Sequence, residues 1–238
     1  MQKQAPRNNT AMQWGPRLDG DLRKPRIAKC TNEEEIMNLM ASVRWEHMKL
    51  GLKEAALSKK DSLVPAVAYL AKHGWNDNLS AQLNAREEQF KNIEARILAE
   101  KLEAQGKIGR STMSLLIPAY VMDEVRSSPD PRKTALEWRE KLANLERLER
   151  RIIRKRAVEA LGEIGTSAAI AELVKLLFCT EGNADMWVAS ALNHAASENP
   201  KEVIPVLRNE MKALGDGDGA EKAMQILNAT CERVEGKA

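Results

Sequence analysis

A pattern that returns three times near the C terminus constrains the fold more than any other feature of this 238-residue chain. Leu161, Leu192 and Leu227 each stand in an alanine-containing apolar segment, and they are 31 and 35 residues apart. Intervals of this length are typical of a helical hairpin that repeats along a chain. A single hairpin cannot bury its own apolar side, so successive hairpins stack and share a continuous core. The sequence therefore predicts an array of helix pairs in the C-terminal third.

The first copy of the pattern carries its most specific motif. Residues 154–165 read RKRAVEALGEIG, and residues 166–177 read TSAAIAELVKLL. This motif resembles the HEAT-like repeat of the phycocyanobilin-lyase type, in which a basic helix start precedes a glycine-containing turn and a second helix. The resemblance implies an α-solenoid that acts as a binding scaffold. Gly162 and Gly165 are interpreted as turn residues that allow a positive φ.

The second and third copies depart from this motif. In the second copy, Asn193 and Ala196 replace the turn glycines and the turn is longer. The third copy shows only a first helix, over residues 220–227. The resemblance therefore covers about 85 residues, and it leaves open whether the N-terminal helices continue the array or form a separate bundle.

Composition favours helices along the whole chain. Only two Tyr and two Phe are present, whereas Ala, Leu, Glu, Lys and Arg are abundant, so good helix formers far outnumber good strand formers. We expect an all-α protein of helical hairpins, with a short HEAT-like solenoid at the C terminus. No apolar run reaches the ~20 residues that cross a bilayer, and the N terminus lacks the apolar stretch of a signal peptide. A cytoplasmic location without membrane contact is predicted.

Capping and breaking residues predict where the helices begin and end. Thr31 heads a capping box with Glu34, and Gly74 is a suitable left-handed stop. Asp130 before Pro131 indicates the start of another helix. The predicted helices cover about residues 31–59, 61–72, 79–105, 114–126 and 132–163, the last with a suspected break at 148–151.

Net charge and the positions of prolines divide the chain into three parts. Residues 1–29 carry a net charge of +5 with three prolines and few large aliphatic residues, so they are predicted to form a basic arm that is disordered when free. The two prolines of the segment 127–131 indicate a boundary. The prediction is thus an arm at 1–29, a helical N-terminal region at 30–128 and a HEAT-like repeat region at 129–238.

One basic row stands out as a candidate binding surface. Arg147, Arg150, Arg151 and Arg154 follow helical spacing along one face, and Lys155 lies beside them. Their guanidinium groups suit phosphates or carboxylates on a partner. Two alternatives weigh against this interpretation. Glu146 and Glu149 can neutralise part of the row, and repeat helices often begin with arginines that pack within the protein.

The basic arm supplies the other candidate contacts. Trp14 is an aromatic residue in a flexible basic segment, where it can anchor the arm in a partner's pocket, stack on a base or pack on the chain's own body. The basic residues expected to accompany it are Arg17, Arg23, Lys24 and Arg26.

Common catalytic motifs are absent from the sequence. The three cysteines (Cys30, Cys179 and Cys231) and the three histidines (His47, His73 and His194) lack the spacing of zinc sites or disulfide frameworks. Nucleotide-binding and hydrolase motifs are missing as well. We therefore predict no catalytic residue, no metal and no cofactor.

The leading hypothesis is a non-enzymatic helical adaptor that binds a protein partner, within a larger complex, through its repeat surface and basic arm. The alternative is a nucleic-acid-associated protein whose arm and Arg147–Arg156 row contact phosphates. A remote alternative is a HEAT-like DNA-repair or tetrapyrrole-handling enzyme, for which Asp185, Trp187 and His194 are the residues to consider.

Overall fold

The computed structural model describes residues 32–107, 109, 116–179, 184–213 and 220–236. Within these residues the chain forms helices and no strand, which confirms the predicted all-α fold. The helices are α1 (Glu33–Met40), α2 (Trp45–Ser58), α3 (Val64–His73), α4 (Asp77–Lys91), α5 (Ile93–Ala104), α6 (Ala119–Ser127), α7 (Pro131–Ile164), α8 (Ser167–Cys179), α9 (Ala184–Glu198), α10 (Pro200–Ala213) and α11 (Ala220–Glu235). The predicted arm lies outside the described residues.

The helices stack as hairpins in two layers. In the first layer α2 packs on the C-terminal half of α7, α7 packs on α9, and α9 packs on α11. In the second layer α3 packs on α8, and α8 packs on α10. The hairpin α2–α3 thus contacts the hairpin α7–α8 from one side, as α9–α10 does from the other. The array therefore begins with N-terminal helices, which answers the question that the sequence left open.

One hydrophobic cluster runs through the whole stack. It extends from Ile36 in α1 to Val234 in α11 and includes residues from both sides of the predicted boundary near 128. Leu161, Leu192 and Leu227 are fully buried within it, as the repeat pattern predicts. Burial of a leucine side chain contributes roughly 1.5 to 3 kcal/mol, so these anchors hold neighbouring hairpins together. Independent folding of the two predicted regions stays a prediction.

A smaller cluster forms beside the stack. Helices α5 and α6 and the end of α4 pack on the N-terminal half of α7, which extends beyond the array. The buried residues of this cluster are Phe90, Ile93, Ile117, Val121, Met122, Val125, Ala135 and Leu142. In chain order, this group stands between the first and second hairpins of the array.

Helix α7 is continuous over 34 residues, so the suspected break at 148–151 is wrong. Asp130 caps its N terminus, because its side chain accepts a hydrogen bond of 3.0 Å from the backbone N–H of Lys133. Gly165 ends it in the left-handed conformation, with φ of 64°. Length alone suggested the break, whereas contacts with α2, α3 and α4 support the middle of the helix.

The predicted helix at 31–59 is in fact two helices, α1 and α2. The side chain of Asn76, which is fully buried, donates hydrogen bonds to the carbonyls of Met40 (2.8 Å) and Ser42 (2.7 Å). Asn78 donates to the carbonyl of Ala41 at 3.1 Å. These carbonyls therefore have partners outside their own helix, and the break is stabilised by residues more than 30 positions away.

Three further boundaries differ from the prediction. Asn32 rather than Thr31 caps α1, because its side chain accepts a hydrogen bond of 3.0 Å from the N–H of Glu34. The predicted helix at 79–105 is divided at Asn92, whose side chain donates to the carbonyl of Glu88 at 3.0 Å. The helix predicted to begin at 114 begins at Ala119 as α6, and residues 114 and 115 lie outside the described range.

The interpretation of Gly162 as a turn residue is also wrong. Gly162 lies inside α7, where an added Cβ would come within 2.9 Å of the carbonyl oxygen of Ala191 in α9. Glycine at this position therefore allows two first-layer helices to approach closely. Gly165 is a left-handed cap, as predicted, and Lys59 takes the corresponding place after α2 with φ of 51°. Helices α2 and α7 thus both end in a left-handed residue, although the connection after α2 is longer and includes a 3-10 turn at Asp61–Leu63.

Candidate partner-binding surface

The structure divides the predicted basic row into an inward and an outward part. Trp14 and the arm residues Arg17, Arg23, Lys24 and Arg26 lie outside the described residues. The described candidates all stand on α7. They do not share one function, because two of the arginines pack against α3 and the other basic residues face outward.

Arg150 is an inward residue. Its Nε donates a hydrogen bond of 2.7 Å to the carbonyl oxygen of His73, and its guanidinium lies 4.3 Å from the ring centroid of Trp75. Between these groups lies Gly74, where an added Cβ would meet Arg150 Cγ at 2.4 Å. The last carbonyls of a helix lack partners within it, so Arg150 satisfies one of them at the end of α3.

Arg154 repeats this role one turn later. Its Nε donates a hydrogen bond of 3.3 Å to the carbonyl of Ala71, which also belongs to the last turn of α3. Two cations at the C-terminal end of a helix complement its dipole. Burial, followed by the nearby charges of Lys72 and Arg150, lowers the pKa of His73 in the same turn. Arg150 and Arg154 are therefore packing residues that join α7 to α3.

Arg147, Arg151 and Lys155 face outward along the other side of α7, where all three are exposed. The guanidinium of Arg151 lies 5.7 Å from the ring centroid of Trp187 at the start of α9, which orients the side chain. Lys155 has a surface ion pair of 3.6 Å with Glu159. At a rise of ~1.5 Å per residue, the three cations span about 12 Å.

The expectation that Glu146 and Glu149 neutralise the row is wrong. Glu149 pairs with Lys49 of α2 at 2.6 Å, and Glu146 pairs with Arg86 of α4. Burial lowers the pKa of Arg86, because removal from water disfavours its charged form. Both carboxylates are thus directed towards other helices, and the outward cations keep their charge available.

Three apolar side chains lie among these cations. Leu145 and Leu148 are 57% and 55% exposed. Ile152 is half-buried and continues the line with spacings of three and four residues. We call the set of Leu145, Arg147, Leu148, Arg151, Ile152 and Lys155 the outer face. The sequence pattern identified its cations but not its leucines, because nothing in the sequence separates Leu145 and Leu148 from Leu142, which is buried.

The second layer contains a groove. It lies between α3 and α8, has a volume of about 670 Å³, and is lined by small apolar residues such as Ala68 and Ala171. Its rim includes Lys175, which forms an ion pair with Glu172 at 2.7 Å. The hydrogen bond to Glu172 raises the pKa of Lys175. The rim charges of this groove are therefore partly neutralised within it.

The residues considered for an enzyme do not converge. Asp185 forms an ion pair with Lys222 of α11, and Trp187 packs against the large cluster. His194 is nine positions beyond Asp185 in α9, which places the two on opposite sides of the helix at 3.6 residues per turn. Among the described residues, no group of three or more His, Cys, Asp or Glu is arranged to hold a metal ion.

A comparison with protein families agrees with the repeat geometry. A family model described as PBS lyase HEAT-like repeat matches residues 153–179, which comprise the end of α7 and α8. The chain carries a HEAT-like repeat. Neither the curated proteins nor the solved structures gave a match to this chain. None of the helices in the described ranges is both long and apolar enough to cross a membrane.

Proposed function

We propose that the protein is a non-enzymatic α-helical adaptor that binds a protein partner through the outer face of α7. The observation that carries the proposal is the presence of exposed leucines and exposed cations on one helix. Exposed apolar side chains that cluster on a surface mark interaction sites more often than isolated ones do. The arm is proposed to add a second contact, and the location is proposed to be cytoplasmic.

The composition of the outer face favours a protein over a nucleic acid. Phosphate contacts require cations and gain little from the burial of leucines. A protein interface, in contrast, combines an apolar centre with arginines at its edge. Leu148 lies beside Arg151 at a spacing of three residues, and Leu145 lies beside the exposed Lys141 at a spacing of four. Nucleic-acid binding through the same cations remains the alternative outcome of the test.

The test compares variants of the full-length tagged protein in cells that produce it naturally. Arg147→Glu with Arg151→Glu removes the cations, and Leu145→Ala with Leu148→Ala removes the apolar centre. We expect both pairs to lose the same co-purifying protein after nuclease treatment, because both parts of the face contact it.

Matched controls use exposed residues of the same types elsewhere. Lys201→Glu with Arg233→Glu reverses two charges at the far end of the array, and Leu98→Ala removes a leucine that is 59% exposed on α5. These variants should retain the partner. The nucleic-acid alternative would be favoured if the protein retained only nucleic acid, if added salt released that nucleic acid, and if the leucine variant still bound it. Retention of the protein by every outer-face variant would contradict the proposal.

A further inference from the structure

The spacing of the apolar residues on the outer face indicates the shape of its partner. Leu145, Leu148 and Ile152 follow one another at three and four residues, which is the spacing of the contact line between two packed helices. Together they form a narrow ridge along a single helix. Side-chain ridges of one helix pack into the grooves of another, so a second helix laid along α7 would bury all three.

The charges beside this ridge indicate the sign of the partner. Residues 141–156 are all described, and every exposed charged residue among them is basic. These residues are Lys141, Arg147, Arg151, Lys155 and Arg156. The acidic residues of this segment, Glu146 and Glu149, pair with α4 and α2. Binding of a partner helix is therefore stabilised most when carboxylates flank its apolar line.

A second copy of the chain fits this surface poorly. A two-fold axis places the same patch on both subunits, so two α7 helices packed antiparallel along this line around Leu148 would bring Lys141 of one copy near Lys155 of the other. Like charges at such a contact disfavour it.

We propose that the outer face of α7 binds an acidic amphipathic α-helix, whose apolar line packs on Leu145, Leu148 and Ile152 and whose carboxylates meet Arg151 and Lys155. This inference rests on the proposed function and specifies the partner of the same surface. The contact would extend over about four turns of α7, from Lys141 to Lys155, at 3.6 residues per turn.

The test uses three synthetic 21-residue peptides with fluorescent labels. The first carries leucine at helical contact positions with flanking glutamates, the second has lysines in place of the glutamates, and the third has the composition of the first in an order without helical periodicity. Binding to the full-length protein is followed by fluorescence anisotropy, and peptide helicity is followed by circular dichroism. The flanking charges keep the first two peptides from pairing with themselves.

We expect the dissociation constant of the glutamate peptide to be at least about tenfold lower than that of the lysine peptide. We also expect the glutamate peptide to gain helicity when it binds. Reversal of Arg147, Arg151 and Lys155 to Glu should invert this preference. Leu145→Ala with Leu148→Ala should weaken both peptides while preserving the fold, because Ala is the best helix former. The control Lys201→Glu with Arg233→Glu should leave the preference unchanged.

Three outcomes would overturn the inference. Equal binding of the ordered and the scrambled acidic peptides would show simple charge attraction, and an unchanged preference after charge reversal would place the site elsewhere. A dimer of the wild-type protein that Leu145→Ala with Leu148→Ala converts to a monomer would identify a second copy as the occupant. If these peptides fail while the cellular partner still requires the outer face, the proposed function stands and the helical form of the partner is wrong.

Discussion

The two halves of α7 belong to one continuous helix and have opposite surroundings. The end of α7, from about Ile153 onward, contacts α2, α3, α8 and α9 and buries small residues such as Ala157 and Gly162 where these neighbours approach, although Lys155 and Arg156 stay exposed. The N-terminal half packs on α4, α5 and α6 from one side and exposes leucines on the other. Small buried residues on several sides therefore mark a helix inside the array, whereas leucine periodicity alone does not distinguish a buried core from a binding surface.

The largest expected effect compares two leucines of this helix. Leu161→Ala should lower the free energy of unfolding by about 2 to 5 kcal/mol, because it leaves a cavity between stacked hairpins. Leu148→Ala should change it by less than about 0.5 kcal/mol, because the side chain is exposed. Urea denaturation measures both. Equal losses would mean that the outer face is covered within the protein itself.

A second comparison concerns two arginines of the predicted row. Arg150→Ala should cost about 1 to 3 kcal/mol, because it leaves a carbonyl at the end of α3 without its partner and uncovers Trp75. Arg147→Ala should be nearly neutral for stability and should reduce partner binding. Thermal melts and binding assays on the two variants separate these roles. A neutral Arg150→Ala would contradict the assignment of that residue to packing.

The close approach of the first-layer helices gives a third prediction. Gly162→Ala should destabilise the protein by about 1 to 3 kcal/mol, because the new methyl group would press on the backbone of Ala191. In a helix without such a close neighbour, the same substitution would be stabilising, since Ala favours helices more than Gly does. Circular dichroism melts give the sign of the change, and a stabilised variant would place α9 further from α7.

The smallest effect tests the first hairpin. Lys59→Gly should stabilise the protein by up to about 1 kcal/mol, because the left-handed conformation strains a residue with a Cβ and suits glycine. Lys53→Gly, inside α2 and exposed, should be destabilising by about 1 kcal/mol and serves as the control. Loss of stability in Lys59→Gly would show that the turn after α2 differs from the turn after α7.

Sequence patterns predicted the helix caps and buried anchors that depend on residues nearby in the chain. The caps at Asp130, Gly74 and Gly165 and the buried anchors of the repeats were predicted correctly, because each depends on neighbours within one turn or one repeat. The break between α1 and α2 was missed, because it depends on Asn76, which is distant in sequence. The sequence offered packing within the protein as an alternative for the arginine row, but it could not assign Arg150 and Arg154 to that role, because the assignment depends on where α3 ends beside α7.

The most direct test of the account is native-state hydrogen exchange of the full chain, resolved by helix. The central claim is that α2 and α3 belong to the same stack as α7, α8 and α9, with α5, α6 and the end of α4 beside it. We expect the amides of α2 and α3 to open together with those of α8 and α9 under mild denaturant, and those of α5 and α6 to exchange earlier. Opening of α2 and α3 together with α4 to α6, separately from α8 and α9, would contradict the claim and support a division near residue 128.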